Sequence, residues 1–133
     1  MIISAEEFIR LRTSDVPEEQ EQASRDTAEN LVWLDIIQNF PGYKTWIVHN
    51  KTVPIKILEI LAQDKEAKVR TEVARKRKIH DKIFDLLSVD KDEGVRHALI
   101  NNTKLSMDKK MLINVEGSQW LETALKEQLT REK

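Results

Sequence analysis

The chain contains no cysteine and only three glycines and three prolines among its 133 residues. Without cysteine it can form no disulfide, no thiolate metal site and no cysteine nucleophile. Glycine and proline build most tight turns, so their scarcity favours helices over a sheet with many turns. Aromatic residues make up only 5% of the chain, and β-branched residues form no alternating runs. The composition therefore predicts an all-α protein.

Long hydrophobic runs are absent as well. No segment approaches the ~18 apolar residues of a membrane span, and Glu6 and Glu7 interrupt the stretch where a signal peptide would be apolar. With 40% apolar and 34% charged residues, the composition is that of a folded protein. We therefore expect residues 1–133 to form a single cytoplasmic domain, bacterial in style, that does not contact a membrane.

The net charge of −1 conceals an uneven distribution. Residues 1–40 hold three basic and nine acidic side chains, whereas residues 41–82 hold eleven basic and five acidic ones. Such an asymmetry can steer charged partners toward the basic segment. It can equally pair the two segments inside the fold, and the sequence leaves both interpretations open.

The middle of the chain repeats itself at a spacing of 26 residues. Val69-Arg70 aligns with Val95-Arg96, and Asp64 aligns with Asp90. Self-similarity at a fixed short period is typical of stacked helical repeats. We assign three to four repeats to residues 31–113, N-terminal capping helices to residues 1–30 and a C-terminal capping helix to residues 117–133, with a break at Gly117.

Each repeat is predicted to contain two helices. In the best-defined repeat these are residues 54–63, which open with Pro54, and residues 65–76. The second helix has a narrow apolar stripe, so it must pack between neighbours; the stripe consists of Val69, Val73 and Ala74. Asp64 and Asp90 are expected to cap the second helices. Upstream, Ser4 is expected to cap a first short helix and residues 17–40 to form one longer helical stretch.

The segments ILEILAQDKEAKVRTEVARKR and FDLLSVDKDEGVRHALINN resemble HEAT-type repeats, and resemble more closely the HEAT-related leucine-rich variant repeats of bacterial proteins. The resemblance covers residues 31–113 and implies a short right-handed α-solenoid. In such families an aspartate and an arginine form a ladder between successive second helices. The resemblance implies this structural role for Asp64, Arg70, Asp90 and Arg96. The first repeat departs from it, with Gln38 and Lys44 at the corresponding positions.

The strongest candidate for a binding site is the basic run Arg75–Lys78, at the end of a predicted second helix. One or two cations there would favour the helix dipole, but four in a row exceed that need. Equivalent positions of stacked repeats lie side by side, so the register predicts one polar edge. Its members are His49, Lys51, Arg75, Lys76, Arg77, Lys78, Asn101 and Lys104. Alternatively, these side chains only satisfy carbonyls at helix ends.

No catalytic motif is recognisable. The spacings of His49, His80 and His97 match no metal-ligand pattern, and the chain has no phosphate loop and no convincing catalytic triad. We therefore expect no enzyme activity, metal or cofactor. The three tryptophans, Trp33, Trp46 and Trp120, are interpreted as core or cap packing, with Trp33 against the N-terminal helix.

Two functions remain open. The first is a protein-interaction scaffold of the adaptor or immunity type, with a partner that presents an acidic surface. The second is a nucleic-acid-binding protein similar to the DNA glycosylases built from HEAT-like repeats. The net charge of −1 argues against the second function, because a basic protein would be expected. The sequence does not predict the identity of the partner or the oligomeric state.

Overall fold

The computed structural model describes residues 1–131, which form short α-helices and no β-strand. The all-α prediction is therefore confirmed for this part of the chain. A 3-10 turn covers Pro41–Tyr43, and no helix among these residues is both long and apolar enough to cross a membrane. The ten α-helices are α1 (Ala5–Arg12), α2 (Pro17–Arg25), α3 (Asn30–Asn39), α4 (Lys44–His49), α5 (Ile55–Leu61), α6 (Ala67–Ala74), α7 (Asp81–Leu87), α8 (Glu93–Ile100), α9 (Met107–Lys110) and α10 (Gln119–Arg131).

The helices group into two compact units where the sequence predicts one domain. The first unit is Met1–Leu61 and the second begins at Ala62. The boundary falls between α5 and α6, the two helices of the best-defined predicted repeat. Each unit has its own set of fully buried apolar side chains.

The first unit is built around Trp33 of α3, which is fully buried. The indole ring of Trp33 meets the Phe8 ring of α1 edge to face, with 5.3 Å between centroids. This confirms the predicted packing of Trp33 on the N-terminal helix. The predicted cap of α1 is also present, because the Ser4 hydroxyl accepts a hydrogen bond from the Glu7 N–H at 3.0 Å.

The expected continuous helix over residues 17–40 is wrong. Helix α2 ends at Arg25, and α3 begins only at Asn30. Between them the Ile2 N–H donates to the Thr27 carbonyl at 2.7 Å, and the Asp26 carboxylate pairs with the terminal amino group of Met1 at 3.1 Å. This pairing lowers the pKa of Asp26. The break thus depends on contacts with the start of the chain.

In the second unit, α8 packs against both α6 and α10, and α7 packs against α6 and α8. The stripe predicted for the second helix is buried in full, at Val69, Val73 and Ala74. Before α10, Gly117 has a φ of 76°, a backbone conformation that glycine adopts most easily. The expected break at this position is therefore present. Of the predicted C-terminal helix, residues 132–133 lie outside the described residues.

Asp64 and Asp90 do not cap the second helices. The Oδ1 atom of each accepts a hydrogen bond from the N–H two residues later, at 2.9 Å in both cases. The N-cap of α8 is Asp92, which accepts from the Gly94 N–H at 2.7 Å. The two aspartates therefore form Asx turns ahead of the helices, a local arrangement that competes with capping for aspartate side chains.

Arg70 and Asp90 form a buried ion pair. The Nε and Nη2 atoms of Arg70 donate to the two carboxylate oxygens of Asp90 at 2.8 and 3.2 Å, and its Nη1 donates to the Asp64 carbonyl at 2.6 Å. Both side chains are less than a tenth exposed, at 7% and 6%. This contact has the form of one rung of the ladder that the resemblance implies.

Arg96 takes the place of Arg70 in the following repeat, and within residues 1–131 it has no carboxylate partner of this kind. Arg96 donates through Nη1 to the backbone carbonyl of Asn114 at 2.8 Å. Its Nε is buried without a hydrogen-bond partner. Asn114 itself forms an Asx turn with the Glu116 N–H at 3.0 Å, as Asp64 and Asp90 do with the residues that follow them. Arg96 therefore also bonds to a residue that forms an Asx turn, although that residue is neutral and stands two positions before the one that the register aligns with Asp90.

We predict that Asp90→Ala lowers the free energy of unfolding by about 3–5 kcal/mol, because it leaves the Arg70 guanidinium buried without its counterion. Asp90→Asn separates the ion pair from the turn, because the asparagine oxygen can still accept from the Asp92 N–H while the charge is lost. It should cost nearly as much as Asp90→Ala if the buried ion pair, rather than the turn, carries the stability. Urea unfolding followed by circular dichroism measures both. A loss below about 1 kcal/mol for Asp90→Ala would contradict the structural role of the pair.

Candidate functional site

Asn102 connects the loop after α8 to the end of α6. Its side-chain amide donates to the carbonyls of Ala74 and Lys76, both at 2.8 Å, and its Oδ1 accepts from the Lys104 N–H at 2.9 Å. The side chain is buried, so these bonds satisfy a polar group that could not otherwise be placed there. The loops that follow α6 and α8 consequently lie side by side, as the repeat register predicts.

The first unit contains the same arrangement. The Asn50 amide donates to the carbonyls of Ala23 and Asp26 at 2.9 and 3.0 Å, and its Oδ1 accepts from the Thr52 N–H at 2.8 Å. Asn50 and Asn102 align in the sequence repeat. Both asparagine side chains thus satisfy backbone carbonyls near the ends of helices.

A cleft of about 410 Å³ lies between the two loops of the second unit. It includes four members of the predicted polar edge, two from each loop: Arg75 and Arg77, and Asn101 and Lys104. We call it the cationic cleft and define it by Arg75, Arg77, His97, Asn101, Asn102 and Lys104. None of the residues that line it carries a carboxylate.

The three cations of the cleft are exposed to solvent. Arg75 pairs with Glu72 of its own helix at 3.1 Å, but its side chain remains 64% exposed. Exposed pairs of this kind contribute little free energy, so Arg75 can exchange Glu72 for another anion at small cost. Arg77 and Lys104 are exposed as well. The cleft therefore presents positive charge that an anionic ligand can reach.

Two other members of the basic run lie elsewhere. Lys76 occupies the repeat position that Asn50 and Asn102 occupy, and it is partly buried. Burial lowers the pKa of Lys76, because a charged amine is disfavoured away from water. Lys76 is therefore less accessible to a ligand than Arg75 and Arg77. Lys78 is exposed but lines a neighbouring hollow rather than the cleft.

His49 and Lys51 belong to the first unit and are exposed. The His49 ring lies 5.7 Å from the ring of Trp46, measured between centroids. The guanidinium of Arg12 lies over the same indole, 3.9 Å from its centroid. The local surroundings of His49 are thus an exposed cluster of aromatic and cationic groups.

His97 links the cleft to α10. Its imidazole stacks on the Trp120 ring, with 4.0 Å between centroids and 12° between planes. On the same side, Gln128 of α10 donates to the Asn101 side-chain oxygen at 3.2 Å. Burial lowers the pKa of His97, and the charge of Glu127 opposes this only in part.

The sequence interpretation missed this part of the site. Core or cap packing was expected for Trp46 and Trp120, and their exposure of 40% and 52% excludes the core. Trp120 packs from the C-terminal helix onto His97, which agrees with the cap alternative. Helix α10 lies beyond the repeats, and no register relates Trp120 to His97. Only the folded contact between α8 and α10 identifies the pair.

Comparison with known proteins adds nothing to the geometry. No family model, curated protein or solved structure matches the chain significantly. Within residues 1–131, no group of three histidine or carboxylate side chains is placed to hold a metal ion. The functional interpretation therefore depends on the cationic cleft itself.

We predict that His97 makes the folded protein less stable as the pH falls. The pKa of His97 in the folded state is lowered, so below the ordinary value of about 6.5 the unfolded chain binds more protons than the folded one. The free energy of unfolding should then decrease as the pH drops from 7 toward 5. His97→Gln should weaken this dependence, whereas the control His80→Gln should leave it in place. Urea unfolding at a series of pH values is the measurement, and identical pH profiles for wild type and His97→Gln would refute the assignment.

Proposed function

We propose that this protein is a non-enzymatic binding module, of the adaptor or immunity type, that holds an acidic segment of a protein partner in the cationic cleft. One observation carries the proposal. Arg75, Arg77 and Lys104, from two adjoining loops, line one cleft whose lining contains no carboxylate. The helix dipole and Glu72 account for Arg75, but neither accounts for the approach of Arg77 and Lys104 to it, because like charges repel one another.

The side chains of the cleft suit carboxylate ligands. A guanidinium offers parallel N–H donors that match the two oxygens of a carboxylate, and two guanidinium groups are present. Lys104 adds a compact charge. The volume of about 410 Å³ lies within the range of ligand pockets, about 300–1,000 Å³. It is therefore large enough for more than a single carboxylate group.

The cleft is also held in a defined shape. Asn102 fixes one loop to the other through two hydrogen bonds of 2.8 Å, and both of its acceptors are backbone carbonyls. A ligand that binds such a site loses less free energy to ordering the protein than one that binds a free loop. The fixed shape therefore supports the recognition of a particular ligand rather than a nonspecific attraction of anions.

Nucleic acid is the less favoured partner. Proteins that bind single strands combine a cationic track with aromatic platforms for the bases, whereas no Phe, Tyr or Trp side chain lines the cleft. The Trp120 ring already stacks on His97. The exposed cations of the cleft also form a short group and not a long track, because the carboxylate of Glu72 lies beside Arg75 at one end.

The same proposal includes the wider architecture. We propose that the helices are HEAT-like repeats that stack as a short right-handed solenoid and that the protein works in the cytoplasm. The sequence repeat supports the first part, as do the matching contacts of Asn50 in one unit and Asn102 in the other. The absence of cysteine fits the second part.

We predict that the double variant Arg75→Glu with Arg77→Glu binds fluorescein-labelled poly-L-glutamate at least about tenfold more weakly than wild type, mainly through slower association. The reason is that exposed charges steer an acidic chain toward the cleft. Wild-type binding should weaken as salt is raised, since screening shortens the reach of these charges. Stopped-flow fluorescence anisotropy at several salt concentrations measures both effects.

The matched control is Lys56→Glu with Lys126→Glu, which changes the net charge equally at exposed positions outside the cleft. It should retain most of the binding. Equal losses in both double variants would show that net charge alone attracts the acidic chain. If oligothymidylate instead bound far more tightly than poly-L-glutamate and lost binding in the cleft variant, the nucleic-acid alternative would replace the proposal.

A further inference from the structure

A second hollow adjoins the cationic cleft. Its volume is about 260 Å³, and it shares Arg77, Asn102 and Lys104 with the cleft. These three residues form a common wall between the two spaces. A ligand that crosses this wall would therefore contact both spaces at once.

The two spaces differ in chemistry. Beyond the shared wall, the cleft has Arg75, His97 and Asn101, all of which are polar. Beyond the wall the hollow is lined by Lys78, Ser106 and Lys109 and by the aliphatic side chains of Ile79 and Leu105, both partly exposed. Aliphatic side chains of this size line only the hollow, so an apolar group of a ligand is better placed there, and a carboxylate is better placed in the cleft.

One cation of the hollow already has a partner. The ammonium group of Lys109 forms an ion pair with Asp81 and lies 4.9 Å from the centroid of the Phe84 ring. Its charge is therefore partly compensated inside the protein. Lys78, which also lines the hollow, is exposed, so the apolar interpretation of the hollow rests on Ile79 and Leu105.

We propose that the ligand is a linear peptide segment with an acidic residue seated in the cationic cleft and an aliphatic residue seated in the hollow, on either side of the wall formed by Arg77, Asn102 and Lys104. This inference rests on the proposed function and specifies its partner. In an extended peptide, alternate side chains lie on the same side of the backbone, about 6.5–7 Å apart. An extended segment that presents both side chains to the protein would have the motif of an acidic residue, any residue, then an aliphatic residue.

The occupant is a peptide rather than a nucleic acid because of what lines the two spaces. Neither space is lined by a Phe, Tyr or Trp side chain on which a base could stack. Ile79 and Leu105 provide aliphatic surface, which stabilises a leucine or isoleucine side chain by removing it from water. A phosphate backbone would leave that surface unused.

The test uses fluorescein-labelled peptides of one length and one flanking sequence, with the central triplets Glu-Ser-Leu, Gln-Ser-Leu and Glu-Ser-Ser. Fluorescence anisotropy gives the Kd of each peptide for the full chain. We expect Glu-Ser-Leu to bind most tightly, with about tenfold losses for removing the charge and for removing the aliphatic side chain. A peptide with Glu and Leu adjacent controls for spacing and should bind more weakly than Glu-Ser-Leu.

Two protein variants locate each side chain. Arg75→Gln should weaken Glu-Ser-Leu and leave Gln-Ser-Leu nearly unchanged, whereas Leu105→Ala should weaken Glu-Ser-Leu and leave Glu-Ser-Ser nearly unchanged. Each pair forms a double-mutant cycle, which isolates one contact from general effects on the protein. If Leu105→Ala fails to fold, Leu105→Gln tests the same contact, because it keeps a side chain of similar size and replaces the aliphatic surface by a polar group.

The outcomes separate this inference from the proposed function. Equal Kd values for Glu-Ser-Leu and Glu-Ser-Ser overturn the two-site motif, while poly-L-glutamate that still depends on Arg75 and Arg77 leaves the function intact. If, in addition, the binding of poly-L-glutamate does not depend on Arg75 and Arg77, both proposals are overturned. Tighter binding of oligothymidylate, with the same dependence on Arg77, would assign the wall to nucleic acid instead.

Discussion

The side-chain amide of Asn102 is the contact on which the arrangement of the second unit depends. The last carbonyls of a helix have no partner within the helix, and a buried one left unsatisfied costs about 1–3 kcal/mol. Asn102 resolves this for α6 by donating to the carbonyls of Ala74 and Lys76. Because the acceptors belong to one loop and the donor to the next, satisfying a helix end also fixes the distance between two loops. The cationic cleft is a consequence of this solution.

A second polar contact joins α6 and α8 at the other end of α8. Asp90 precedes α8 and accepts two hydrogen bonds from Arg70 of α6, whereas Asn102 follows α8 and donates to the end of α6. The apolar side chains Val73 and Leu99 are buried in the same pair of helices. The two polar contacts allow little sliding of α8 along α6, since either a charge or a carbonyl would lose its partner. A cleft shaped by rigid neighbours can distinguish ligands by the placement of its groups.

The sequence repeat predicted this neighbourhood because it relates equivalent positions without knowledge of the structure. It aligned Arg75 with Asn101, and the structure brings both into one cleft. It failed where local and distant contacts intervene. Asp64 and Asp90 were expected to cap helices, yet an aspartate can bond the N–H two residues later equally well. The break after α2 depends on Ile2, more than twenty residues away, and the Trp120 ring meets His97 from a helix outside the repeat. Periodicity carries no information about such pairings.

The four consecutive cations of the basic run lie in different surroundings, because contacts in the fold and not the sequence pattern decide where each side chain is placed. Lys76 falls at the repeat position of Asn50 and Asn102, which faces the protein, and it is partly buried there. Arg75 and Arg77, on either side of it in sequence, line the cleft, and Lys78 lines the adjoining hollow. A run that reads as one charged patch is thus divided by the fold among the interior, the cleft and the hollow. If the run served only to complement a helix end, the charges could occupy any order near the last carbonyls. The fold instead fixes the order, because Lys76 takes the partly buried position and its neighbours on either side are left to line the cleft and the hollow.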